Sequence, residues 1–304
     1  MDKIIVGTRG SKLALWQAEY VERMLTAANP NVHIERKIIK TEGDRDQKTS
    51  LTRIGGQGVF TKTIEEALLN GSIDIAVHSL KDLPSQMADG LALAAVPERA
   101  EVEDVLVTKD GSAFANLPEG ATVATGSIRR RSQLLSLRPD IAITDLRGNI
   151  DTRLKKLYNE NLDAIVMAKA ALVRLGLTNV LYYTFSLDEM IPAVGQAAIG
   201  IQIRKDDKRI AHFVEILNDA ETFHAVTAER AFLRELDSGC QFPVGAYGSI
   251  RQNRLHLKGF VGSEDGRTIL TDEMEADTAD AEAMGRELAG RFIARGARKI
   301  LNQQ

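Results

Sequence analysis

The stretch IPAVGQAAIGIQIR, residues 191–204, decides the architecture. It opens as a turn around Pro192 and Gly195 and then runs into an apolar strand pattern. Two sets of alternating strands and helices precede it. In the first, KIIVGT (3–8), VHIERKIIK (32–40), IDIAVHS (73–79) and LALAAV (91–96) read as strands. LALWQAEYVERMLTAA (13–28) and FTKTIEEALLNG (60–71) read as helices, the second stopped by a glycine. The second set starts near residue 121 with strand ATVATGS, helix IRRRSQLLSLR, strand IAITDLRG, helix IDTRLKKLYNE and strand DAIVMA. This β-α-β-α-β order predicts a mostly parallel, helix-covered sheet in each set. The polar stretch PERAEVEDV (97–105) is a candidate crossing between them. If the strand inside 191–204 returns to the first sheet, two α/β domains are joined by two hinge strands.

The expected domains follow from that return. Residues 1–97 and 198–217 make the first α/β domain, and 102–194 the second. Beyond 220 the pattern changes to a helix (221–236), a loop with the single cysteine Cys240, three alternating stretches (FPVGAYGSI, RLHLKGFVG, TILTDEMEA) and a last helix (279–301). This predicts a small α+β domain over 220–304 with a three-stranded antiparallel sheet. A chain of 304 residues is too long for one ordinary core, which agrees with several domains.

Composition narrows the function classes. No apolar run is long enough to span a membrane. The N-terminus leads straight into a strand-like run without an apolar h-region, so no signal peptide is expected. A lone cysteine forms no intrachain disulfide and builds no zinc site. A cytoplasmic location is expected. The net charge of −3 opposes a general nucleic-acid binder. The charge is uneven, however. From Arg129 to Lys156 there are eight Lys or Arg against three Asp and no Glu. A basic surface in an acidic protein suggests a bounded anionic ligand.

Several strand ends carry polar residues. DIAVHSLKDLP (74–84) delivers His78, Ser79, Lys81 and Asp82 directly after an apolar run. In open α/β sheets that is where ligands bind. It also reads as an ordinary strand-end turn, with Asp82 making a turn bond and Pro84 stopping the segment. His78 taken alone reads better as a hydrogen-bonded structural residue than as a catalyst. TGSIRRRSQL (125–134) turns a strand into a helix, whose N-terminus favours an anion. Arg129 and Arg130 add planar forks for carboxylate or phosphate, while Arg131 is expected to face solvent. LRGNIDTRL (146–154) repeats the plan with Arg147, Gly148 and Arg153, and GTRGSKLALWQ (7–17) repeats it with Arg9 and Ser11. Arg174 follows the DAIVMA strand. Together these strand ends suggest a cleft lined for several carboxylates or phosphates. The polar stretch 41–58 reads either as a lid hinged on Gly55, Gly56 and Gly58 or as a surface loop. No GxGxxG, P-loop or HExxH motif occurs, which argues against dinucleotide, nucleoside triphosphate and catalytic metal.

With these segments together, the chain resembles the porphobilinogen deaminases. TRGSKLALWQA, GGQGVFTK, DIAVHSLKDLP, TGSIRRRSQL, LRGNIDTRL, PAVGQAAIGIQ, TAERAFL and SGCQFPVGAY stand in that family's order and span nearly the whole chain. The resemblance implies periplasmic-binding-protein-like α/β domains and a dipyrromethane cofactor held by Cys240 through a thioether. It implies head-to-tail condensation of four porphobilinogen molecules, with loss of ammonia, and hydrolytic release of hydroxymethylbilane. Asp82 matches the catalytic aspartate. Cys240, Asp82, Lys81, Ser79, Arg129, Arg130, Thr125, Ser127, Arg147 and Gly148 match cofactor-binding positions. Arg9, Ser11, Arg147, Arg153, Arg174 and Gln196 match substrate-binding positions, Gln196 and Gly195 lying in the hinge. Arg53, Gln57 and Phe60 match the lid. The resemblance further implies a monomer with a small-molecule substrate and no metal, nucleic-acid or membrane partner. Arg53 and Gln57 stand where lysines are common, Gly126 where serine is common and Ala197 where glycine is common. Lys169 and Ala171 alter the turn before Arg174. A periplasmic solute-binding protein, a non-catalytic carboxylate binder, shares the two-domain pattern. It would need an export signal and has no use for a third domain or for Cys240.

Overall fold

The computed structural model describes residues 3–41, 61–237 and 242–302. Arg53, Gln57 and Phe60, expected in a lid, and Cys240, expected to anchor the cofactor, lie outside the described residues. The chain forms two compact units, Met1–Ala100 with Ala197–His224, and Glu101–Gln196 with Ala225–Gln304.

The first segment runs β1 (Lys3–Thr8), α1 (Lys12–Ala28), β2 (His33–Ile38), α2 (Lys62–Leu69), β3 (Ile75–Ser79) and β4 (Leu91–Ala95). The second runs β5 (Asp104–Thr108), β6 (Thr122–Ala124), α3 (Ile128–Leu137), β7 (Ala142–Thr144), α4 (Ile150–Asn159), β8 (Ala164–Ala168), α5 (Lys169–Arg174) and β9 (Tyr182–Thr184). Then follow β10 (Ile199–Arg204), α6 (Lys208–Glu215) and α7 (Ala220–Glu235). The chain ends with β11 (Val244–Arg251), β12 (Arg254–Gly262), β13 (Ile269–Asp277), α8 (Ala281–Ala294) and α9 (Ala297–Asn302).

The first unit holds a five-stranded sheet in the order β2-β1-β3-β10-β4. The second holds one in the order β7-β6-β8-β5-β9. The two orders are the same topology, with β10 and β5 in equivalent places. The strand after Gln196 does return to the first sheet, between β3 and β4. The sheets are less parallel than the β-α-β order suggested. The strands β2, β1 and β3 are parallel, whereas β10 runs antiparallel to both its neighbours. Likewise β5 is antiparallel to β8 and β9. A strand that arrives through a crossing, not through a covering helix, is not held to the parallel direction.

The apolar strand runs become core. In the first unit Ile4, Val6, Ile75 and Ile201 pack under Ala18, Val21 and Leu25 of α1. Fully apolar strands are what a sheet covered on both faces requires. The C-terminal part is a meander of β11, β12 and β13 with antiparallel pairing throughout. Its first hairpin closes through Gln252 and Asn253, both at positive φ, the conformation of a tight two-residue turn. Phe232 of α7 meets Phe292 of α8 edge to face, with ring centroids 5.1 Å apart, in the core beneath the sheet.

Candidate active site

In the first unit the carboxyl end of β3 leads into a single helical turn, Leu80–Asp82. Leu80 and Leu83 are buried on either side of it, which turns Asp82 outward to solvent. The amide of Leu80 donates to Ala198 O of the returning chain at 3.0 Å and holds the turn against β10. Opposite lies the start of α1, where Ser11 is the N-cap and accepts from the Ala14 amide at 3.3 Å. Arg9, Ser11, Gln17, Thr61, His78, Ser79 and Asp82 border one pocket. Strand-end residues more than sixty positions apart in sequence therefore share a single hollow, as Arg9 and Asp82 do.

Two polar networks brace this pocket. Gln17, buried on the inner face of α1, donates from Nε2 to Ser79 Oγ at 2.9 Å. His78 is buried, and its Nε2 lies 3.1 Å from Gln202 Oε1. Gln202 in turn donates to Glu65 Oε1 at 2.9 Å. An amide oxygen only accepts, so Nε2 is assigned the proton. Burial pushes the His78 imidazole down to about 4, against its bond to Gln202, and the charge of Arg9 adds to the depression. His78 is thus neutral at neutral pH and serves as a strut between β3 and β10.

In the second unit Ser127 caps α3, accepting from the Arg130 amide, and Thr125 Oγ1 accepts from the Ser127 amide at 3.3 Å. Each hydroxyl retains its proton to donate. Arg129 and Arg130 are nearly fully buried and turn inward onto Asp104, the fully buried first residue of β5. Arg129 Nη2 is 2.7 Å from Asp104 Oδ2, and Arg130 Nη2 and Nε are 2.7 and 3.0 Å from Oδ1. Arg129 Nη1 donates to Ile191 O and Arg130 Nη1 to Val166 O. Burial works to raise the Asp104 carboxyl, but the two guanidinium charges overcome it and hold it well below the usual carboxylate range. The triad carries one net positive charge.

Gln196, expected to touch substrate, is fully buried. Its Nε2 donates to Val102 O at 2.7 Å and to Asp104 Oδ1 at 2.9 Å. It stands in the arginine network at the point where the chain passes between units. Ala197, next to it, adopts φ 67°, a conformation glycine takes without strain. Arg131 is half-exposed and pairs with Glu264 at 3.1 Å, so it does not simply face solvent.

The turn after β7 needs its glycine. Gly148 has φ 108°, and it leads into the Asn149 cap of α4. Arg147 is partly exposed and pairs with Asp145 at 3.2 Å. Arg153 Nε donates to Gly148 O at 2.8 Å. Arg174 ends α5 and is partly exposed, as is Lys81 in the first unit.

The family model described as porphobilinogen deaminase, dipyromethane cofactor binding domain, matches residues 4–212, and the model of the porphobilinogen deaminase C-terminal domain matches 223–294. The chain belongs to the porphobilinogen deaminase family. The porphobilinogen deaminase of Syntrophotalea carbinolica is 46% identical over 97% of this chain and 94% of its own length. That of Moorella thermoacetica is 46% identical over 100% of this chain and 97% of its own. That of Chlorobaculum parvum is 45% identical over 98% and 97%.

Within this deaminase chain, four contributors escaped the motif reading. Gln17 and Thr61 border the pocket, Asp104 organises the arginines, and Glu229 of α7 accepts the amides of Gly195 and Gly248 at 2.7 and 2.8 Å. Two had a signal: Gln17 is a polar residue on the apolar face of α1, and Asp104 is an acid directly before the apolar run Val105, Leu106 and Val107. Within each unit the strand-end guanidinium and hydroxyl groups are donors suited to carboxylates. Among the described residues no group of three His, Cys, Asp or Glu side chains converges as at a metal site.

Proposed function

We propose that this chain condenses four porphobilinogen molecules head to tail onto a dipyrromethane attached to Cys240, losing one ammonia per addition, and then hydrolyses off hydroxymethylbilane. The observation that carries the reading is Asp82 at the end of β3, bordering the same pocket as Arg9, Ser11 and Ser79 in a chain of this family. The cofactor, when bound, supplies the pyrrole carbon that receives the first substrate unit. Arg9 and Ser11 bind the acid arms of the incoming pyrrole. Loss of ammonia from porphobilinogen leaves positive charge on its pyrrole and methylene group. Asp82, turned outward by the buried Leu80 and Leu83, stabilises that charge through the pyrrole N–H and takes part in moving the proton. Ser79 and Lys81 flank it.

Thr125, Ser127, Arg147, Gly148, Arg153 and Arg174 hold carboxylates at the strand ends of the second unit. Arg129 and Arg130, committed to Asp104, act as one net positive charge and set the end of α3 in place. Gln196 positions that triad. The substrate is a small molecule, and we read the enzyme as a cytoplasmic monomer. Among the described residues no helix is long and apolar enough to cross a membrane. Intact mass under denaturing conditions, with peptide mapping, tests the anchor. An addition of two pyrrole units on Cys240, absent in Cys240→Ser, is expected. A chain that never acquires such an adduct on incubation with porphobilinogen or hydroxymethylbilane refutes the reading. Asp82→Ala is expected to stay folded and lose nearly all turnover; normal turnover removes Asp82 from its role.

A further inference from the structure

Thr61 is the N-cap residue of α2 and is 1% exposed. A threonine there ordinarily accepts an amide of the first turn through its hydroxyl. This one does not. Its backbone is already helical, at φ −113° and ψ −33°, and no side-chain cap bond forms. Its carbonyl takes the Ile64 and Glu65 amides at 2.9 and 2.8 Å. The hydroxyl has no partner among the described residues. A buried hydroxyl left without a partner destabilises the fold unless something else uses it. Thr61 borders the pocket that holds Arg9, Ser11, Ser79 and Asp82.

The geometry points to Thr61 as a specificity-determining residue that donates its hydroxyl proton to a carboxylate arm of the pyrrole bound in this pocket. The inference rests on the proposed deaminase role of the pocket. The chemistry agrees on two points. The N-terminal end of α2 favours a negative partner. Arg9 and Ser11 line the same pocket and carry donors. The one opposing charge on that turn, Glu65, has Oε1 bound by Gln202.

The test uses the full-length, cofactor-loaded protein with porphobilinogen. Thr61→Val keeps the shape and removes the hydroxyl; Thr61→Ser keeps the hydroxyl. For Thr61→Val, KM is expected to rise about tenfold, equivalent to about 1.4 kcal/mol, with kcat within about twofold, as for lost uniform binding. The melting temperature of the ligand-free protein should hold or rise, because a buried polar group without a partner has gone. Thr61→Ser should restore KM. In the Asp82→Ala background, thermal stabilisation by porphobilinogen should shrink when Thr61→Val is added. An unchanged KM overturns the inference. So does a fall in melting temperature together with a raised KM that Thr61→Ser does not restore, since that pattern belongs to a packing role. If wild-type protein neither consumes porphobilinogen nor is stabilised by it, the deaminase reading of the pocket fails first, and the inference about Thr61 falls with it.

Discussion

Asp104 offers the sharpest prediction. Its carboxylate is fully buried and receives four close contacts, from Arg129 Nη2, Arg130 Nη2, Arg130 Nε and Gln196 Nε2, all between 2.7 and 3.0 Å. Asp104→Asn removes the charge and turns an amide NH2 toward guanidinium donors. Two guanidinium groups then remain buried without a counter-ion. Breaking a buried pair from one side costs about 3–5 kcal/mol. Urea unfolding at neutral pH should therefore show a loss of that size for the transition of the second unit. A control separates stranded charge from lost packing. Replacing the whole triad, Asp104→Leu with Arg129→Met and Arg130→Met, leaves no buried charge, and its cost should fall below that of Asp104→Asn alone. The pH dependence has a defined sign. The folded-state pKa is depressed below the ordinary 3.8, so this stabilisation is present above that value and is lost only as pH falls through the folded pKa. The gap between wild type and Asp104→Asn should stay constant from pH 8 down to about pH 4. A single variant within about 1 kcal/mol of wild type, or a triple variant less stable than the single one, would refute the reasoning.

Other expectations follow from the same networks. His78 resists protonation in the fold, with its pKa lowered from 6.5 to about 4, so the unfolded chain takes the proton first as pH falls. Stability should drop across pH 6.5 to 4 by up to about 3 kcal/mol from this group, and His78→Asn should flatten that slope in urea titrations. Glu229→Gln leaves an amide NH2 facing one of the two backbone donors of Gly195 and Gly248 and should cost about 2 kcal/mol, read from the urea midpoint. Gly126→Ser would place a Cβ 2.8 Å from Leu146 O. It should destabilise the protein by about 1–2 kcal/mol, and an unchanged melting temperature would show that the turn relaxes freely.

What the chain announces locally is what short-range physics encodes. The alternation of strand and helix, the three-stranded meander and the caps Ser11, Ser127 and Asn149 depend on residues three or four apart, and they are legible without coordinates. So is the grouping of arginine and serine at strand ends, because a strand that stops at a glycine turn must present whatever comes next. The family motifs named the fold and the chemistry by the same route. The partners were not legible. Arg129 and Arg130 read as open forks, yet they close on an aspartate 25 and 26 positions earlier. Gln17 reaches Ser79 across 62 positions, and Gln196 meets Asp104 across 92. Nor could the directions of β5 and β10 be read, since a strand arriving through a crossing carries no helix to set its sense. The orphan hydroxyl of Thr61 is the clearest case. Its sequence context says only that a threonine precedes a helix. Whether that hydroxyl caps the helix or waits for a ligand depends on backbone angles and on packing by distant elements. The sequence by itself determined which groups are available at each strand end; the tertiary structure alone decided which of them are already paired, because burial removes water as a partner and leaves only what the fold brings within reach.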